Sequence, residues 1–247
     1  MAATASSSLV FGGLMGAGDL LARNAQLYRH ETGIVFGDVR LTWQAVNACA
    51  NRFTNAMQKL GLQRGDRVAL YARNSHQWVE ALFGLMKMGV VVVTINYRLT
   101  AAEAGYIAEN CGARALVCGA TEIENARKVA SQISNLKFLI GIGVEADDIA
   151  KDIESYETLV NIGDEREPSL DKPLGYDEPA MLLYTSGTTG FPKGAIYTHG
   201  SLLVGMLVHV HAIGSRYTNR VMLPSPLYSA GRHCRYLLRG VCRLADS

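Results

Sequence analysis

Tyr184-Thr185-Ser186-Gly187-Thr188-Thr189-Gly190-Phe191-Pro192-Lys193-Gly194-Ala195 stands between two short apolar runs, Ala180-Met181-Leu182-Leu183 before it and Ala195-Ile196-Tyr197 after it. Runs of that length read as buried strands, so the twelve residues predict a loop between two strands. Thr185, Ser186, Thr188 and Thr189 bring hydroxyls, and Gly187, Gly190 and Gly194 bring positions without a Cβ. Glycine reaches positive φ at little cost and lets backbone N–H groups approach a ligand. Successive N–H groups in such a turn form an anion-binding concavity. The hydroxyls add donors and Lys193 adds a mobile positive charge, so the composition fits a polyphosphate. A flexible connector is the plainer reading of any Gly/Ser/Thr-rich loop. No G-x-x-x-x-G-K-[ST] pattern can be laid over this one, which excludes a Walker A loop.

Thr185 to Gly194, read as T-S-G-T-T-G-F-P-K-G, resembles residue for residue the phosphate-loop signature of the AMP-forming acyl-CoA synthetases, also called adenylate-forming enzymes. The resemblance extends outward from the loop. Gly65-Asp66-Arg67-Val68-Ala69-Leu70 followed by Asn74-Ser75 looks like the family's early strand and helix start. Gly89 to Leu99 is similar to its next strand, except that Thr94 stands where the family often has proline. Tyr197-Thr198-His199 matches the strand end and helix start that usually follow the loop. Leu223-Pro224-Ser225-Pro226-Leu227-Tyr228 resembles a later strand and loop, where an aromatic is commonly followed by histidine; here Ser229 follows. Residues 19 to about 231 resemble the family's N-terminal region.

What the resemblance implies is an acid–thiol ligase. A small-molecule carboxylic acid attacks the α-phosphate of ATP held with Mg2+, pyrophosphate leaves, and the acyl adenylate is passed to a thiol, usually that of CoA. Charge builds on the β- and γ-phosphates as they depart, so preorganised donors aimed at those oxygens assist the first step. By position-matching, Thr185, Ser186, Gly187, Thr188, Thr189, Gly190 and Lys193 form that cradle, with Pro192 stiffening the turn. The family's later acidic residue near magnesium, its ribose-holding aspartate, its hinge and its small C-terminal domain with a catalytic lysine have no match in this sequence. The resemblance therefore implies a truncated ligase that does not adenylate by itself.

At 247 residues the chain can hold one large or two modest domains. Apolar content of 49% against 19% charge describes a globular chain rather than a disordered one. A net charge of +2 gives no footing for a nucleic-acid surface. Residues 232–247 carry +3 of it, which leaves residues 1–231 at −1. Cys49, Cys111, Cys118, Cys234 and Cys242 are odd in number and lack C-x-x-C spacing. Reduced thiols in the cytoplasm therefore fit better than a disulfide framework or a zinc site. No basic residue precedes Arg23, which argues against a signal or transit peptide. The longest apolar stretch, Leu202 to Ile213, is broken by His209 and His211 and is too short for a transmembrane segment.

In chain order, residues 1–18 are small and without periodicity, and read as a disordered leader or a start-site artefact. Leu20, Leu21, Asn24, Leu27 and Tyr28 recur at helical spacing. Ile34-Val35-Phe36 and Val39-Arg40-Leu41 around Gly37-Asp38 read as a β-hairpin. Thr42 caps a helix with Trp43, Val46, Ala50, Phe53, Met57 and Leu60 on one face, ended by Gly61. Strands at Arg67–Tyr71, Val90–Ile95, Arg114–Val117 and Phe138–Ile142 then alternate with helices started by Ser75, Thr100 (a capping box with Glu103) and Glu122. Residues 143–179 read as a weaker helix and a surface loop. The fold class is α/β, a mostly parallel sheet flanked by helices with a small hairpin near the N-terminus; the resemblance implies that this is the incomplete N-terminal domain of an adenylate-forming enzyme.

Other conspicuous residues take plainer roles. Cys111 and Cys118 read as packing thiols rather than nucleophiles. His209 and His211 sit two apart on a helix and face different ways, so they cannot share a metal. His199 suits a helix start as well as ligand contact. Trp43 and Trp78 fall on core faces, and Glu145, Asp147 and Asp148 form a solvated cluster. Residues 232–247 resemble nothing in the family; they read as a shifted reading frame or as a genuine basic tail. Two alternative functions are a non-catalytic nucleotide-binding or interaction module and an adenylation domain serving a carrier protein. Thr188-Thr189 leans towards CoA ligases, since carrier-linked domains more often have serine first.

Overall fold

The computed structural model describes residues 16–145, 147, 152–185, 191–212, 214, 220–223, 225–229 and 241–244. The expected leader therefore lies outside the described residues as far as residue 15, and Ala17 just beyond it is fully buried. Helix α1 (Asp19–Leu27) leads into the expected hairpin of β1 (Thr32–Phe36) and β2 (Val39–Thr42), which pair antiparallel. Leu27, one of the residues recurring at helical spacing, is 55% exposed. It is the last residue of the helix, and Leu21 and Ala22 one turn or more earlier carry the core contact.

Helix starts and stops follow local chemistry. Thr42 Oγ1 accepts from the Ala45 N–H at 3.2 Å to open α2 (Trp43–Lys59), and Ser75 Oγ accepts from the Trp78 N–H at 3.0 Å to open α3 (His76–Lys87). Gly61 and Gly89, at φ +98° and +75°, turn the chain out of these helices in the left-handed region. Thr100 and Glu103 form the predicted capping box ahead of α4 (Ala101–Asn110). A 3-10 turn at Ala120–Glu122 precedes α5 (Ile123–Gln132), so that helix begins one residue later than expected.

Seven strands build the main sheet. They are β3 (Arg67–Tyr71), β4 (Val91–Thr94), β5 (Ala115–Gly119), β6 (Phe138–Ile142), β7 (Glu154–Ser155), β8 (Pro179–Thr185) and β9 (Lys193–Thr198). Their order is β7-β6-β5-β3-β4-β8-β9, parallel throughout except that β9 runs antiparallel to β8. Strand alternation sends Val68, Leu70, Val92 and Val117 to one face, where α2 and α3 pack, and Ala69, Tyr71, Val93 and Leu116 to the other, under α4 and α5. The close crossing of α2 over α3 needs Gly84, because a Cβ there would stand 2.5 Å from Thr54 Oγ1 and 2.6 Å from the Ala50 carbonyl. Helix α6 (Tyr156–Ile162) fulfils the weaker helix of residues 143–179, and β7 immediately before it was not foreseen. A second sheet orders β10 (Arg220–Leu223), β11 (Val241–Leu244), β1 and β2, with β11 parallel to both of its neighbours. A strand thus forms within the basic 232–247 segment. Helix α7 (His199–Ala212) follows β9 and leaves Val204, Leu207 and Val208 exposed, as is Ile196 on β9.

The stretch 163–178, read as a surface loop, is stitched down. Asn47, Asn51 and Asn55 repeat every four residues along α2 and so share one face. Asn51 Nδ2 donates to the Glu165 carbonyl (2.9 Å), and Asn55 Nδ2 donates to the carbonyls of Asp164 (2.6 Å) and Arg166 (2.9 Å). Lys87, buried on α3, donates to Asn47 Oδ1 (2.6 Å), Asn51 Oδ1 (2.7 Å) and Glu167 Oε2 (2.7 Å). Burial pulls the ammonium's pKa down and the Glu167 carboxylate opposes that shift. Glu167→Leu strands this charge and is expected to cost about 2–4 kcal/mol in urea unfolding, below the full buried-pair cost because Glu167 is half exposed. Adding Lys87→Met should recover part of the loss; an additive double mutant would show that the pair is not coupled.

Candidate functional site

Parallel order brings the C-terminal ends of β3, β4, β5 and β8 to one edge of the sheet, and ligands of open α/β sheets bind along such an edge. Thr185 ends β8 there and is exposed. The chain returns through residues 186–192 to Lys193, which opens β9 and is also exposed. Thr185 and Lys193 are register partners across the antiparallel pair, as are Tyr184 and Gly194. Of the seven predicted cradle residues, the structure thus brings Thr185 and Lys193 side by side. Ser186, Gly187, Thr188, Thr189 and Gly190 lie outside the described residues. A hydroxyl and an ammonium side by side at this edge are a donor set that suits phosphate oxygens.

The same edge carries further groups that sequence reasoning left unassigned. Asn74, buried after β3, donates from Nδ2 to the Ser225 carbonyl (3.2 Å) and accepts the Leu227 N–H at Oδ1 (2.7 Å). Thr94, at the end of β4, donates to the Tyr228 carbonyl at 2.7 Å. Two strand ends therefore pin the 225–228 segment across the sheet edge. The one available signal was Thr94 itself, a hydroxyl closing a run of four valines where the resembled family often has proline. Tyr97 lies beyond it, edge-on to Tyr228 with ring centroids 5.7 Å apart. The Arg73 and Arg98 guanidiniums stand over the Tyr97 ring, 4.9 and 5.5 Å from its centroid. Arg73 also pairs with Glu122, Nε to Oε1 at 3.4 Å, which offsets part of the positive charge at this rim.

The plainer readings fare well. Cys118 is fully buried in β5, and burial pushes the Cys111 and Cys49 thiols up to about 11, which keeps them protonated and poor nucleophiles at neutral pH. Trp43 and Trp78 are core residues. Glu145 and Asp147 are exposed, and Asp148 lies outside the described residues. Among the described residues no cluster of His, Cys, Asp and Glu could hold a metal, and no helix is long and apolar enough to cross a membrane.

A family model described as AMP-binding enzyme matches residues 21–243. Long-chain-fatty-acid–CoA ligase FadD13 of Mycobacterium tuberculosis is 34% identical over 194 residues, which cover 77% of this chain and 36% of that protein. Feruloyl-CoA synthase of Amycolatopsis sp is 29% identical over 218 residues, covering 87% of this chain and 40% of that one. The chain thus spans about two fifths or less of the length of these curated relatives. Among solved structures, the inhibitor-bound N-terminal domain of FACL13 from Mycobacterium tuberculosis superposes with a TM-score of 0.82 at 30% identity, covering 95% of this chain and 58% of that one. Anthranilate CoA ligase AuaEII in complex with anthranoyl-AMP gives a TM-score of 0.86 at 26% identity, covering 94% of this chain and 45% of that one.

His199 turns out to be a structural anchor at the start of α7. Fully buried, it accepts the Ala17 N–H at Nδ1 (3.1 Å), while its Nε2 has no hydrogen-bond partner among the described residues. Burial lowers its pKa below the ordinary value of 6.5; Glu178 and Asp19 oppose that shift, and Arg64 adds to it. A histidine held neutral by the fold makes the unfolded chain bind more protons, so its contribution is intact above pH 6.5 and is lost on acidification. As the pH falls below 6.5, and before the carboxylates begin to titrate, the wild type should lose stability in urea unfolding. His199→Asn should flatten that window, and an unchanged slope would assign the titration elsewhere.

Proposed function

Because the chain belongs to the AMP-binding enzyme family, we propose that it carries the phosphate-gripping part of an ATP-dependent carboxylic acid:CoA ligase. The observation that carries this is the pairing of Thr185 with Lys193 at the C-terminal edge of the parallel sheet, at the two ends of the loop whose sequence fits a polyphosphate. In the reaction, a carboxylate oxygen bonds to the α-phosphorus of ATP as the bond to the pyrophosphate oxygen breaks. The thiol of CoA then displaces AMP to give the thioester. Negative charge gathers on the departing β- and γ-phosphates. The hydroxyls of Thr185, Ser186, Thr188 and Thr189, the backbone N–H groups of Gly187 and Gly190, and the ammonium of Lys193 would hold those oxygens. Bound Mg2+ would supply further neutralisation of that charge. Reduced thiols fit a cytoplasmic setting for such chemistry.

Binding and turnover separate in this proposal. The 247-residue chain is expected to bind MgATP by calorimetry, and Lys193→Ala to weaken that binding at least tenfold, about the worth of one charge-assisted contact. A flat wild-type titration would remove the nucleotide assignment. The same polypeptide, which spans 36% of FadD13, is expected to give no acid-dependent ATP–pyrophosphate exchange. Exchange above background would mean that the chain completes an adenylation site by itself.

A further inference from the structure

Helix α4 touches the 185–193 hairpin on both of its stems. On the incoming stem, the Tyr184 hydroxyl donates to Asn110 Oδ1 at 2.6 Å. On the returning stem, the Tyr106 hydroxyl reaches the Pro192 carbonyl at 3.5 Å, and its ring lies 5.5 Å from the Phe191 ring with a tilt of 32°. Tyr106 and Asn110 are four residues apart on α4, so both project from the same side of that helix. The Tyr184 ring lies against its register partner Gly194, where a Cβ would come within 3.1 Å of the ring. Burial pushes the Tyr184 phenol up to about 12, so at neutral pH it keeps the proton it donates.

This contact answers a mechanical need. β8 is held on one side by β4 and on the other by β9, but among the described residues β9 ends the sheet and has β8 as its one strand neighbour. Among the described residues, the stem at 191–193 therefore has no second strand to fix its position. A binding constellation must be held to within about 0.5 Å by its supports to be effective. Two side chains from one rigid helix supply such a support, one to each stem.

We propose that Tyr106 and Asn110 are positioning residues for nucleotide binding, fixing the two stems so that Thr185 and Lys193 present their donors to one phosphate chain. This rests on the assignment of the 185–193 loop to ATP. Neither residue contacts the nucleotide; each acts through Tyr184, Phe191 and Pro192.

The test is MgATP calorimetry on the full 247-residue chain, with thermal melting of every variant alongside. Asn110→Leu, Tyr184→Phe and Tyr106→Leu are each expected to raise Kd by about threefold to tenfold, the range of one exposed neutral hydrogen bond or ring contact. Asn110→Leu combined with Tyr184→Phe should lose no more than either alone, because they break the same bond. Asn110→Gln, which keeps a carboxamide oxygen on an exposed side chain, should bind within about twofold of wild type. Binding by the wild type with all variants unchanged would overturn the positioning role and leave the nucleotide assignment standing. So would losses that are additive and track a falling melting temperature, since those report general destabilisation. A wild-type chain that does not bind MgATP would overturn the assignment of the loop and this role together.

Discussion

Hydrogen bonding between parallel neighbours from β7 to β8 is the constraint on which the rest of the molecule depends. Parallel strands cannot be joined by a tight turn, so each connection must cross a face of the sheet, and both faces end up covered. That is why β3, β4 and β5 read as near-continuous apolar runs and are buried almost throughout. It is also why their C-terminal ends, with Asn74, Thr94 and Tyr97, gather along one edge beside Thr185. The site is a by-product of strand direction. Of the candidate cradle, only Thr185 and Lys193, the facing ends of β8 and β9, belong to the described strands of that sheet.

Much of this architecture was legible because its causes are local. A hydroxyl three residues ahead of a backbone N–H, a glycine at a helix end and an apolar stripe at helical spacing each act within a few positions. Thr42, Ser75, Thr100, Gly61 and Gly89 accordingly do what their neighbours predict. The strap at 163–178 was read only as a surface loop because its causes are distant. Its carbonyls are satisfied by Asn51 and Asn55 more than a hundred residues earlier, and no periodicity in 163–178 reports that. The asparagine repeat on α2 was visible, but polar residues four apart on a helix ordinarily face water. Lys87 gives the same lesson from the other side, since only the fold reveals that its ammonium ends among two amides and a carboxylate.

The candidate site divides along the same line. Its composition was legible, because the need for small residues, hydroxyls and one cation is written in consecutive positions. Its supports were not. Asn74 and Thr94 act on a segment more than 130 residues later, and Tyr106 and Asn110 act on one about 75 to 85 residues later. Tyr106 is half-buried, and the partner that it turns towards lies in another part of the chain.

One feature could have been derived before any coordinates, and it is the one that makes the site. Seven residues separate Thr185 from Lys193. A parallel return needs a crossover of a dozen residues or more, so a link this short can only fold β9 back antiparallel beside β8. Had β9 run parallel, Lys193 would open it at the far edge of the sheet, about 20 Å from Thr185 for strands of six or seven residues. The antiparallel return instead sets the first residue of β9 opposite the last of β8. Loop length alone therefore brings a cation and a hydroxyl to the same edge, and leaves β9, with β8 as its one strand neighbour among the described residues, open to support from α4.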